Sequence, residues 1–146
     1  MSAYLIDTDW IIDVLHGNAN AEQTLLDLAP EGLAISLITY GELYEGVHYA
    51  RNRQHALAGL RAFLRGKDVL PLTIDIMELF AIVRGQLSRP IRQQIGDMDM
   101  LIAATALHHD LALLTRNTRD FRLVPNLALI GNPDGGSDGK RRRHER

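Results

Sequence analysis

The chain of 146 residues is 46% hydrophobic and 23% charged, a globular balance that excludes fibrous, collagenous and wholly disordered architectures. At this length one domain buries roughly 70% of the surface its unfolded chain exposes, so no covalent staple is needed, and without cysteine none can form. The formal net charge of −2 is unevenly spread: 131–146 carries five cations against three anions, which leaves −4 on the rest and speaks against an ordinary basic nucleic-acid-binding module.

The start, MSAYLIDTDW, has no basic leader-like stretch, and no run approaches the roughly 18 apolar residues of a membrane span, so a soluble cytoplasmic protein is expected. Tyr4-Leu5-Ile6 reads as a short strand that stops at Asp7. Helical periodicity covers 8–16 and 20–29, and Leu33-Ala34-Ile35 is a second strand. Two further helices span 37–50 and 52–65, ahead of a third strand at Val69-Leu70-Pro71-Leu72. Helices at 75–88 and 98–109, with strands at 111–114 and 127–130, complete the pattern. Strands that alternate with helices require crossover connections. A three-layer α/β/α domain with a central, mostly parallel five-stranded sheet is therefore expected over 1–131. The remainder, 132–146, lacks apolar periodicity and is expected to be a flexible basic tail.

In parallel α/β sheets ligands bind outside the carboxyl ends of the strands, so acids that follow strands matter most. Asp7 and Asp9 follow the first strand, and Glu42 lies early in the helix after Ile35-Ser36. Asp97 and Asp99 open a later helix, and Thr115, Asn117 and Asp120 follow the fourth strand. Each acid also has a plain structural reading: Asp7 and Asp97 as helix N-caps, Asp120 as the cap of its short turn, each worth about 1 kcal/mol. Glu42 sits in an otherwise apolar stretch, where an unpaired carboxylate is expensive. Three or four clustered carboxylates suit hard-cation chemistry, because Mg²⁺ and Mn²⁺ take oxygen ligands and can activate water against a phosphodiester. Arg84, Arg89, Arg92, Arg116 and Arg119 are candidates to hold flanking phosphates. The helices over 41–64 carry Leu43, Tyr44, Val47, Tyr49, Leu57, Leu60, Phe63 and Leu64, more apolar area than one small sheet face is expected to cover, which suggests a protein partner as well as core.

Four blocks together resemble the PIN-domain family, specifically VapC-type toxins. They are Tyr4-Leu5-Ile6-Asp7-Thr8-Asp9; Ile35-Ser36 with Thr39, Glu42-Leu43 and Gly46; Ile95-Gly96-Asp97-Met98-Asp99 with Leu101-Ile102-Ala103-Ala104-Thr105-Ala106; and Thr115-Arg116-Asn117-Thr118-Arg119-Asp120-Phe121. The resemblance runs in order from residue 3 to about 131. It implies a Mg²⁺- or Mn²⁺-dependent ribonuclease acting on RNA, neutralised by a cognate antitoxin protein and acting as a homodimer or a toxin–antitoxin hetero-oligomer. Asp7, Glu42 and Asp99 match the family's core acids. Where many members carry a fourth acid this chain has Asn117, with Asp120 one helical turn on; a carboxylate serves a hard cation better than an amide, so Asp120 is the expected charged contributor. Asp9 stands where Asn is commoner. Asp9, Asp97, Asn117 and Thr115 are expected to support the ligands rather than replace them.

Two alternatives remain open on sequence. Asp7-Thr8-Asp9 after a strand also begins haloacid dehalogenase-type phosphatases, in which Asp7 would be a covalent nucleophile, but those need a later lysine and this chain has only Lys67 and Lys140. The other is a catalytically silent PIN-like module that binds RNA or a partner.

Overall fold

The computed structural model describes residues 2–131; the segment expected as a basic tail, 132–146, lies outside them. Five strands, β1 (Tyr4–Ile6), β2 (Leu33–Ser36), β3 (Asp68–Leu70), β4 (Ala112–Leu114) and β5 (Leu129–Ile130), form one sheet in the order β3-β2-β1-β4-β5. All of the pairings are parallel, so the expectation of a mostly parallel sheet sharpens to a wholly parallel one among the described residues.

Helices α1 (Thr8–Leu15), α2 (Ala19–Leu28), α3 (Leu37–His48) and α4 (Arg53–Leu64) follow β1 and β2, while α5 (Ile74–Gln86), α6 (Arg89–Gln94) and α7 (Asp97–His108) follow β3 and α8 (Thr118–Phe121) follows β4. Most begin where a short polar side chain can accept a bond from an otherwise unpaired amide. Asn18 caps α2, Ser36 caps α3, Asn52 caps α4 and Thr73 caps α5 in this way. Asp7 caps α1 as expected, but Asp97 does not cap α7: Gly96 holds the capping position and Asp97 is the first helical residue.

Side-chain alternation along the strands feeds two separate cores. Leu5, Ala34 and Leu113 point to one face and pack with Val83, Ile95, Ile102 and Phe121 from α5 to α8. Ile6, Ile35 and Leu114 point to the other and pack with Trp10, Ile11, Leu25 and Leu60 from α1, α2 and α4. Each such fully buried side chain is worth about 1.5–3 kcal/mol relative to exposure. This second core absorbs most of the apolar surplus read over 41–64. Leu43 and Leu60 are buried, Tyr44, Val47, Phe63 and Leu64 pack against them, and Tyr49 alone of the eight is exposed. Among the described residues no helix is long and apolar enough to cross a membrane.

The strand order changes direction between β1 and β4. The chain runs outward from β1 through β2 to β3, then returns to lay β4 on the other side of β1. At such a switch point the connections leave in opposite directions and open a crevice at the carboxyl ends.

Candidate active site

Asp7 leaves β1 at that crevice. Its amide continues the ladder by donating to the Leu114 carbonyl at 2.8 Å, which fixes the residue against the end of β4. Each carboxylate oxygen accepts one bond: Oδ1 from the Thr8 amide at 2.9 Å and Oδ2 from the Thr115 hydroxyl at 2.6 Å. Thr115 in turn accepts from the Asn117 amide at 2.9 Å. Asp7 is only 5% exposed. Burial above all, then the charges of Asp9 and Asp99, push its carboxyl well above the usual carboxylate range, against the bonds from Thr115 and Thr8 that pull it down.

A cleft of about 510 Å³ opens over Asp7, lined by Thr8, Asp9 and Ile12 of α1, by Glu42, Glu45, Gly46 and Tyr49 along α3, and by Asp99, Arg116 and Asn117. The Thr8 hydroxyl donates to Glu42 Oε1 at 2.6 Å and lies 3.0 Å from the Thr39 hydroxyl, tying α1 to α3. The Asn117 side chain accepts from the Asp120 amide at 3.4 Å as the cap of α8. That turns its NH₂ toward two carboxylates, Asp120 Oδ2 at 3.2 Å and Asp99 Oδ2 at 3.5 Å. Arg116 stands at the opposite wall, its Nε 3.1 Å from Asp13 and 4.0 Å from Asp9, while its amide donates to Asp9 at 3.5 Å. The extra negative charge at position 9 is thus met within the chain.

The structure therefore brings Asp7, Asp9, Glu42, Asp99 and Asn117 to one cleft, with Thr115 beneath Asp7. Two sequence-expected residues fall elsewhere. Asp120 is buried behind Asn117, where Gln94 Nε2 donates to it at 2.8 Å and Arg119 pairs with it at 3.4 Å, so it does not line the cleft it was expected to charge. Asp97 is an exposed partner of Arg84 at 2.9 Å, also outside the lining. Of the five arginines considered for phosphates, only Arg116 lines the cleft. Lys67, the phosphatase reading's only lysine among the described residues, donates to the Phe63 carbonyl at 2.7 Å and covers the Phe63 ring, away from Asp7. Sequence reasoning missed Glu45, and it named Gly46 and Tyr49 without placing either in the site. The signal was helical spacing, since they follow Glu42 at three, four and seven residues and so share its face.

Among the described residues no group of three or more His, Cys, Asp or Glu side chains is drawn together closely enough to hold a metal ion as they stand. The arrangement fits an open site instead. Its donors are all oxygens, which suits hard cations, and Mg²⁺ characteristically takes one or two carboxylates and keeps several waters. Asp7 is buried among like charges, a crowding that a cation would relieve.

A family model described as PIN domain matches residues 4–127. Ribonuclease VapC19 of Mycobacterium tuberculosis is 38% identical over 128 residues, covering 84% of this chain and 95% of its own. A toxin-antitoxin complex from Klebsiella pneumoniae contains a chain 33% identical, with a TM-score of 0.68 over 90% of this chain and 98% of that one. VapBC2 from Rickettsia felis, bound to a DNA fragment from its promoter, shares the fold at a TM-score of 0.80 and 24% identity, over 89% of this chain and 98% of that one.

Proposed function

Because the chain belongs to the PIN domain family, we propose that it is an endoribonuclease, the toxin of a toxin–antitoxin pair, which hydrolyses RNA phosphodiester bonds with Mg²⁺ or Mn²⁺. The relative that is 38% identical is named a ribonuclease, and the 33% identical chain belongs to a toxin-antitoxin complex. These support RNA as substrate and an antitoxin protein as partner; a homodimer or a hetero-oligomer in the cytoplasm completes the proposal. The observation that carries the reading is the buried Asp7, crowded by Asp9 and Asp99, at the base of a switch-point cleft lined by five carboxylates.

Asp7, Glu42 and Asp99 would hold the divalent ion, which would supply an activated water and positive charge against the scissile phosphate. The chain's own part is aim. Thr115 and the Thr8 amide fix Asp7 by one donor at each oxygen, and the Thr8 hydroxyl fixes Glu42. Asn117 reaches Asp99 and takes its orientation from Asp120, so Asp120 acts through it, as does Gln94 one step further out. Outer partners of this kind orient ligands without touching the metal. Asp97 plays no part in this scheme. Arg116, held along α1 by Asp13 and Asp9, meets a flanking phosphate.

The deciding experiment incubates purified protein with RNA in Mg²⁺ or Mn²⁺, beside a matched sample in EDTA. Cleavage that EDTA abolishes and added metal restores is expected. Cleavage indifferent to EDTA sinks the metal assignment, and intact RNA in every sample sinks the ribonuclease reading.

A further inference from the structure

The cleft is larger than a hydrated cation and one phosphate require, and its volume of about 510 Å³ lies within the ~300–1,000 Å³ typical of sites that enclose an organic ligand. The surplus lies along α3. Glu42 and Tyr49 are two turns apart on one face of that helix, and Gly46 between them bears no side chain. A Cβ at Gly46 would meet nothing within 4 Å, so close backbone packing is not what glycine provides here; the cleft wall is open at this position. Tyr49 is 77% exposed, yet it is not loose, because its hydroxyl donates to Glu45 Oε2 at 2.6 Å. An aromatic ring exposed to water, held by a charge-assisted bond and bordering the acids, is a ready stacking surface.

We propose that Tyr49 is the base-contacting residue of this site, taking a nucleobase of single-stranded RNA against its ring while the adjoining phosphate lies over Asp7, Glu42 and Asp99. The proposal rests on the ribonuclease reading and adds to it the residue that meets the base. In duplex RNA the bases are stacked on one another and paired, so a base reaches an aromatic ring only from a single strand, loop or bulge. The ring's tether to Glu45 reduces the side-chain freedom that binding must remove, which favours stacking over a ring free to rotate. Every base has a π-face, so this contact selects unpaired RNA rather than one sequence.

The test compares wild type, Tyr49→Ala, Tyr49→Phe and Tyr49→Trp on a labelled, unstructured, mixed-sequence RNA oligonucleotide and on the same strand annealed to its complement. Tyr49→Ala is expected to raise KM for the single strand by about 5- to 150-fold, the range of one lost stacking contact, with a smaller change in kcat. The Phe and Trp variants keep the ring and stay near wild type, and the duplex is a poor substrate throughout. Anisotropy of the same RNA with Asp99→Asn protein in Mg²⁺, with and without Tyr49→Ala, reads the contact without cleavage. A wild type that binds this RNA but never cuts it overturns the ribonuclease reading, and the binding arm still judges Tyr49. RNA that neither binds nor is cut overturns both. Unchanged KM and unchanged binding in Tyr49→Ala overturn the present assignment, as does Phe behaving like Ala. Loss of co-purifying antitoxin with RNA kinetics intact would assign the ring to a protein interface instead.

Discussion

At the floor of the cleft Asp7 is buried, each of its oxygens carries a donor, and those donors, Thr8 and Thr115, lie just beyond the ends of β1 and β4. At the lip Tyr49 stands almost fully in water, held by one bond to a neighbour on its own helix. The floor accepts an electrostatic cost, with a carboxyl held among like charges, and is kept in place by the sheet on either side of it. The lip accepts only the exposure of one ring. Functional geometry is most precise when it is built on rigid elements, so a position where bond-making requires tight placement belongs on the floor. A position that must accept many partners can sit on a helix end.

The comparison breaks most visibly at the acids proposed to face a metal. Asp7→Asn and Asp99→Asn are each expected to reduce cleavage by more than about 100-fold, since even outer partners of ligands cost about 10- to 100-fold. Asn caps helices as well as Asp, so Asp7→Asn keeps the start of α1 and its circular dichroism should match wild type. Near-normal rates at saturating Mg²⁺ in either variant would remove that residue from the floor.

A smaller effect separates Asn117 from Asp120. Asn117→Ala deletes the amide that lies between Asp99 and Asp120, whereas Asp120→Asn leaves that amide in the cleft and changes only what holds it. Both should raise the Mg²⁺ concentration for half-maximal cleavage, Asn117→Ala by about 10-fold or more and Asp120→Asn by less. A Mg²⁺ titration in which Asp120→Asn has the larger shift would restore Asp120 as the charged contributor.

The smallest effect is on stability without metal. The folded chain holds the Asp7 carboxyl above its ordinary range, so its contribution is fully present only below the unfolded value of about 3.9 and is lost as pH rises toward the folded one. At neutral pH the Asp7 carboxyl is therefore a cost, and Asp7→Asn should raise Tm in EDTA more at about pH 7 than at about pH 4. Equal shifts at both values would mean that burial among acids exerts no strain there.

Much of this was legible from residue order. The strand-end site residues were readable because a run of three or four apolar residues ends sharply at Asp7 and at Thr115, and parallel topology sends such ends to one edge. Short elements were harder. Helix α6 has six residues, too few for periodicity, although Ser88 followed by Pro90 near its start is a helix-opening cue. The helix expected over 75–88 stops at Gln86 because Leu87 is extended, and β5 shrinks to Leu129–Ile130. Asp120 was favoured on charge alone; which of two residues on one turn faces the cleft is settled by Gln94 and Arg119, whose approach no local pattern encodes. Tyr49 was counted with the apolar surplus, since exposure depends on where α3 ends relative to the sheet.

The bond from Thr115 to Asp7 joins residues 108 positions apart. A chain made from its N-terminus exposes Asp7 among the first residues, but the second donor to that carboxylate arrives only when β4 is complete and has docked beside β1. Until then Glu42 and Asp99 have been synthesised, while neither Thr115 nor Asn117 exists to aim the acids. The order of synthesis thus acts as a safety catch: a nascent or truncated chain carries the charges of the site without its geometry, and the cleft is armed only once nearly the whole domain has been read out.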